Sequence, residues 1–93
     1  MTKRHRLPNR RPHETFDFVH DSIQYTMSVG EAEVFVSCSK NTSTYEALAR
    51  DAAVLISLAL QYGTPAEVMR GAITRLDNGE PASLTGKLLD LMS

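Results

Sequence analysis

The sequence predicts an α+β domain of two layers, in which a three-stranded antiparallel meander packs against about three helices in the order βββααα. Apolar and polar residues alternate from Phe16 to Cys38, which is the period of half-buried strands. From Ser43 onward, apolar residues recur every three or four positions, behind helix start signals. Because the strands precede the helices, we expect a single sheet with helices on one face.

The alternation divides into three strands. The first contains residues 16–18, the second Ile23–Val29 and the third Ala32–Cys38, and the second is the most regular because serine, threonine and glutamine occupy its other face. Gly30-Glu31 fits a two-residue turn with glycine first, which would place Val29 directly opposite Ala32. A two-residue turn at His20-Asp21 would join the first two strands in the same way.

Three helices follow. Ser43 and Glu46 form a capping box, so the first helix is predicted from Ser43 to about Tyr62, ended by Gly63. Thr64 repeats the start signal for a second helix to about Leu76, and residues 83–92 give a short third helix after a loop at 77–81. The helical residues predicted to be buried are Tyr45, Leu48, Ala49, Ala52, Leu55, Ile56, Ala59 and Leu60, then Val68, Met69, Ala72, Ile73 and Leu76, then Leu84, Leu88, Leu89 and Leu91.

Charge is distributed unevenly along the 93 residues. The first thirteen hold five bases and no acid, whereas the rest holds five bases against eleven acids, so the two parts carry +5 and −6. We therefore predict a basic extended arm at 1–13, in which prolines disfavour helix, and one α+β domain at 14–93. The arm is a candidate to bind phosphates or an acidic partner; alternatively it is solvated or folds back on the acidic domain. Its bases are Lys3, Arg4, Arg6, Arg10 and Arg11.

Composition excludes several chemistries. Cys38 is the only cysteine, which excludes an internal disulfide and any zinc site that needs two thiolates. No phosphate loop, dinucleotide fingerprint or hydrolase motif occurs, so we expect no cofactor, no metal site and no catalytic residue. No segment approaches the ~18 apolar residues of a membrane span and no signal peptide opens the chain, so a cytoplasmic protein is expected.

Three local features remain candidates for contacts. Cys38 is read as a small buried hydrophobe, with a reactive thiolate and a thiol-dependent activity as an alternative. Phe35 interrupts the polar face of the sheet and is a candidate interface residue, covering the arm, lying under the last helix or joining a homodimer. An anion could bind before the first helix, although the cap can satisfy those amides itself; the residues are Ser39, Lys40, Asn41, Thr42 and Ser43.

Three segments carry a family resemblance: RLPNRRP near the start, EVFVSCSK in the third strand, and LISLALQYGTP at Leu55–Pro65. Together they resemble the TSCPD domain, which lies at the C-terminal end of cobalamin-dependent ribonucleotide reductases and in small stand-alone bacterial proteins. The resemblance implies an association with deoxyribonucleotide synthesis. It does not imply reductase activity, because that reaction uses a thiyl radical and a reducing cysteine pair.

The leading hypothesis is therefore a non-catalytic, stand-alone binding or regulatory module linked to deoxyribonucleotide metabolism. Its partner would be a protein or a nucleotide, without a membrane, and a homodimer is an open alternative. A second hypothesis is a nucleic-acid-binding protein that uses the basic arm without reading sequence. The third is the thiol-dependent activity at Cys38.

Overall fold

The computed structural model describes residues 12–38 and 43–92, apart from the side chain of Ser43. Three strands are followed by three helices, and the strands form one antiparallel sheet in the order β1-β2-β3. This arrangement confirms the predicted α+β fold. The elements are β1 (Glu14–His20), β2 (Ile23–Val29), β3 (Val34–Cys38), α1 (Ser43–Gln61), α2 (Ala66–Ala72) and α3 (Leu84–Leu91).

One face of the sheet is covered by the helices. The side chains that the alternation assigned to this face are buried in β2 and β3, because α1 packs across β3 and α3 packs against α1 and α2. The core contains Ile23, Tyr25, Met27, Val34, Val36, Ala49, Ala53, Ile56, Leu88 and Leu89.

The β1–β2 turn differs from the prediction. His20 pairs with Ile23, so the turn residues are Asp21 and Ser22 rather than His20 and Asp21, and Phe18 lies opposite Tyr25. Both turn residues have positive φ, at 51° and 65°, as a type I′ turn requires. Aspartate tolerates this region because its short side chain can form hydrogen bonds with nearby backbone.

The β2–β3 connection is also longer than predicted. Val29 pairs with Val34 instead of Ala32, leaving a four-residue loop, Gly30–Glu33, which is closed by a 2.9 Å hydrogen bond from the Gly30 N–H to the Glu33 carbonyl. Gly30 does not adopt positive φ, since Gly63 and Gly79 are the glycines that do among the described residues. A Cβ at position 30 would lie 2.9 Å from Nε2 of His13, so a larger residue there would require the His13 side chain to move.

Local hydrogen bonds determine where α1 ends and where α2 begins. Gly63, with φ of 98°, ends α1, and the N–H groups of Gly63 and Thr64 donate to the carbonyls of Leu60 and Ala59, which is a Schellman motif. Thr64 is consequently not the cap of α2 as predicted; Pro65 occupies that position, without a side-chain hydrogen bond.

The second helix is shorter than predicted. It ends at Ala72 because Ile73 is extended, and residues 74–82 turn back as a narrow hairpin bridged between Arg75 and Pro81. Leu76, predicted in α2, lies in this hairpin. The third helix has the predicted position, and the Ser83 hydroxyl caps it by accepting from the N–H of Gly86.

Several residues predicted to be buried on the helices are exposed. Leu48 and Leu55 on α1 are 62% and 66% exposed. The helix lies along an edge of the sheet with its core contacts on one side, so the rest of its apolar circumference faces outward. The other exposed residues are Tyr45, Val68, Ala72 and Leu76. Within the described ranges, none of the helices combines the length and apolarity that a bilayer crossing requires.

Candidate functional site

Two polar side chains of α1 bind the backbone at the start of β3 and in the loop before it. The Ser57 hydroxyl accepts a 2.9 Å hydrogen bond from the N–H of Val34 and donates at 3.1 Å to the carbonyl of the same residue. One helical turn later, Nε2 of Gln61 donates at 3.2 Å to the carbonyl of Ala32. These contacts give hydrogen-bond partners to backbone groups at and just before the start of an edge strand, which would otherwise be unpaired.

A cleft opens where this cover ends. The residue one turn before Ser57 is Ala53, whose methyl group can form no hydrogen bond. Because backbone direction alternates along a strand, the N–H and carbonyl of Val36 point to the same side as those of Val34, away from β2. The cleft has a volume of about 520 Å³ and lies between β3 and the α1 face that carries Arg50, Val54 and Leu58.

The walls of the cleft are mainly apolar, with one charged residue toward each end of α1. Arg50 forms a 2.8 Å ion pair with Glu46, one turn earlier on the helix. Glu33, from the β2–β3 loop, is 4% exposed and lies 2.8 Å from Nε2 of His13. A carboxylate that is so deeply buried requires such a partner, and the contact ties residue 13 to the mouth of the cleft.

Phe35 lies at the rim of the cleft. Its side chain is exposed on the face of the sheet away from the core, and its ring centroid is 5.7 Å from that of His13. Three contacts were considered for Phe35: the arm, the last helix and a homodimer. The structure shows a ring contact with His13, the last residue of the predicted arm. Its role as an interface residue stays a prediction.

Two groups of predicted site residues lie outside the described residues. These are the bases of the arm, Lys3, Arg4, Arg6, Arg10 and Arg11, and the anion-site residues Ser39, Lys40, Asn41 and Thr42. Ser43 begins α1, but its side chain also lies outside the description, so the capping box stays a prediction.

Cys38 is a free thiol at the end of β3. It is half-buried, packs against the core and pairs with Tyr25 across the sheet. Burial raises the pKa of Tyr25, with smaller contributions from Cys38 and Asp21. Across residues 12–38 and 43–92, no three histidine, cysteine or acidic side chains are arranged to hold a metal ion.

Three residues of the cleft were not predicted as site residues from the sequence: Ser57, Gln61 and Glu33. Ser57 and Gln61 lie inside the segment that carries the family resemblance, yet the sequence alone gave them no role. The available signal was their spacing, since two polar residues one turn apart interrupt a nearly continuous apolar helix.

The comparisons point in the same direction as the resemblance. The chain is 34% identical over 88 residues to a vitamin B12-dependent ribonucleotide reductase of Streptantibioticus cattleyicolor, and the match covers 88% of this chain and 14% of that protein. The chain thus spans about one seventh of the length of this curated relative. No family model matches the chain, and no solved structure matches it.

Proposed function

We propose that this chain is a non-catalytic binding module of deoxyribonucleotide synthesis, related to the TSCPD accessory domain of ribonucleotide reductases. In this proposal the cleft between β3 and α1 receives an extended segment of a partner protein. The observation that carries it is the β3 edge, which Ser57 covers at Val34 and which is open at Val36, where the cleft lies. The similarity to a segment of a B12-dependent reductase supports the biological setting.

The shape and chemistry of the cleft favour a polypeptide. An extended segment placed beside Val36 would receive main-chain hydrogen bonds from the strand edge, and the apolar walls at Val54 and Leu58 would accept its alternate side chains. A nucleotide would need phosphate-binding groups. Among the described residues that line the cleft, Arg50 is the one basic residue, and it already pairs with Glu46.

The proposal can be tested by calorimetric titration of the full chain with the purified B12-dependent ribonucleotide reductase of the same organism. We expect saturable binding that weakens at least about tenfold in Val54→Arg, since a charged side chain would enter an apolar wall. The matched control is Val68→Arg on α2, because Val68 is 57% exposed, Val54 is 55% exposed, and Val68 does not line the cleft.

Three results would overturn this function. The first is no heat of binding to the reductase, and the second is equal weakening by both valine variants. The third concerns a deoxyribonucleoside triphosphate titrated in parallel. If it binds to the wild type and binds more weakly to Val54→Arg, the cleft is a nucleotide site.

The absence of catalysis has its own test. Purified protein is incubated with ribonucleotides, adenosylcobalamin and a dithiol, and we expect no deoxyribonucleotide above a heat-denatured control. A product above that control would disprove the non-catalytic assignment.

The basic arm supports a second candidate function, because five bases without an acid lie in the first thirteen residues. If the arm binds nucleic acid, deletion of residues 1–11 abolishes binding to random duplex DNA, and the affinity of the full chain falls steeply with salt. Binding that is undetectable at low salt, or unchanged by the deletion, rejects this function.

A further inference from the structure

The outward side of α1 carries a regular apolar stripe. Its residues follow spacings of three and four, which is the heptad pattern of a helix-pairing seam. The stripe borders the core face of α1, which is formed by Ala49, Ala53 and Ile56, and its Ala52 is partly buried against the core. We call it the α1 seam; it consists of Tyr45, Leu48, Ala52, Leu55, Ala59 and Tyr62.

The seam is exposed where it is most apolar. Both leucines and both tyrosines belong to the exposed large hydrophobic side chains of the described residues, and none of the six seam residues is charged. Burying exposed leucine and tyrosine side chains removes apolar surface from water, which favours association. Four such side chains in one line form an apolar patch of the kind that marks an interaction surface.

The order of large and small residues identifies the occupant of this surface. We infer that a second copy of the chain pairs with the α1 seam in the antiparallel direction. In that pairing Leu48 faces Ala59 of the other copy and Leu55 faces Ala52, so each large side chain meets a small one. Tyr45 and Tyr62 meet at both ends. The arrangement is its own complement under a twofold axis, as a symmetric dimer requires.

A parallel pair lacks this complementarity. It would place leucine on leucine and alanine on alanine in alternate layers, which leaves voids at Ala52 and Ala59. The order of large and small residues along the seam is complementary to the same order read in the opposite direction. Binding of an unrelated partner would not require this property.

The area of the seam is sufficient for a modest dimer. From their exposed fractions, the two leucines and two tyrosines present roughly 450 Å² per copy, or about 900 Å² in a pair. This area is close to the roughly 1,000 Å² at which specific interfaces begin, as expected for a weak and reversible dimer. We therefore expect a dissociation constant in the micromolar range.

The dimer is independent of the proposed function. The seam and the cleft lie on different sides of α1, since the cleft is lined by Arg50, Val54 and Ser57. Both clefts of a dimer would therefore remain open to a ligand.

The test is sedimentation equilibrium of the full chain from about 1 to about 500 µM. We expect a reversible dimer for the wild type, and monomers for Leu55→Glu and Leu55→Lys at every concentration. An equimolar mixture of the two variants should associate again, because the side chains at position 55 of the two copies lie one helical turn apart beside the twofold axis. Leu76→Glu is the control, as Leu76 is 54% exposed and lies in the hairpin after α2.

A wild type that is monomeric at the highest concentration overturns the inference. So does a dimer that persists in Leu55→Glu, or a mixture of the two variants that stays monomeric. Circular dichroism of each variant establishes that it is folded, and Leu48→Glu repeats the test at a second exposed position.

Discussion

At the scale of single residues, Ser57 has the clearest structural role. It is a polar residue in an apolar helix, and it forms two hydrogen bonds to the backbone of Val34, which belongs to an edge strand. Hydrogen bonds of this kind contribute to stability chiefly because the alternative is a desolvated backbone group without a partner. Ser57 thus fixes where α1 crosses the sheet.

We expect Ser57→Ala to lower the free energy of unfolding by about 1–3 kcal/mol. Alanine has the higher helix propensity, so a loss can be attributed to the two hydrogen bonds rather than to the helix. Urea denaturation followed by circular dichroism measures the change, with Thr44→Ala at an exposed position of the same helix as the control. Equal midpoints for the two variants would show that the contact to Val34 is not stabilising.

Only some residues of the candidate site could be predicted from the sequence. Phe35 was identified because it breaks a polar alternation, and it does lie at the cleft rim. Ser57, Gln61 and Glu33 were not identified, because their roles depend on which edge of the sheet α1 approaches. That relation is tertiary, and no local pattern contains it.

At the scale of elements, the sequence predicted types and order better than connections. The alternation of apolar and polar residues predicted all three strands and the core-facing side of β2 and β3. Both hairpin registers nevertheless differ from the prediction by two residues. A shift of two preserves the face on which each side chain lies, so the apolar pattern cannot detect it. Turn chemistry decides the register, and Asp21-Ser22 with positive φ was the better turn.

The end of α1 allows a prediction with an internal control. Gly63 has φ of 98° and Gly71 lies within α2 without positive φ, and a Cβ at either position would meet no atom within 4 Å. We expect Gly63→Ala to destabilise the protein by about 1 kcal/mol, since L-residues are strained at this φ. Gly71→Ala should stabilise it by up to about 1 kcal/mol through helix propensity. Thermal unfolding of both variants tests this, and shifts of the same sign would refute it.

The hairpin after α2 is joined to α3 by one ion pair. Two nitrogens of Arg75 donate to the two carboxylate oxygens of Asp90, at 2.8 and 2.7 Å. The same guanidinium also donates to the carbonyl of Arg70 at 3.3 Å. These bonds connect α2, the hairpin and α3 through a single side chain. The hydrogen bonds from Arg75 lower the pKa of Asp90, while Asp90 raises that of Arg75.

This pair predicts a pH dependence of defined sign. A carboxyl whose pKa is lower in the folded state stabilises that state above its unfolded pKa, and the stabilisation is lost as the pH falls through the folded value. We therefore expect Asp90→Asn to be less stable than the wild type at pH 7, and the difference to shrink as the pH falls below about 4 and to vanish below the lowered pKa of Asp90. Urea midpoints across this range measure it, with Asp77→Asn at the hairpin tip as the control. A difference that is constant with pH would contradict the assignment.

At the scale of the whole molecule, α1 organises both surfaces described above. One side packs on the core, the side with Ser57 borders the cleft, and the outward side carries the α1 seam. The apolar stripe of this helix, which includes Leu48 and Leu55, was predicted to be buried. The three helices cover one face of a small sheet, so α1 retains an apolar side that faces outward.

The central claim is that an extended partner segment pairs with the open edge of β3 at Val36. Amide hydrogen exchange of the full chain, measured by NMR with and without saturating B12-dependent reductase, tests it most directly. We expect the Val36 amide to exchange at least about tenfold more slowly in the complex, while the Val34 amide, already bonded to Ser57, changes little. An unchanged exchange rate at Val36 in a saturated complex would contradict the claim.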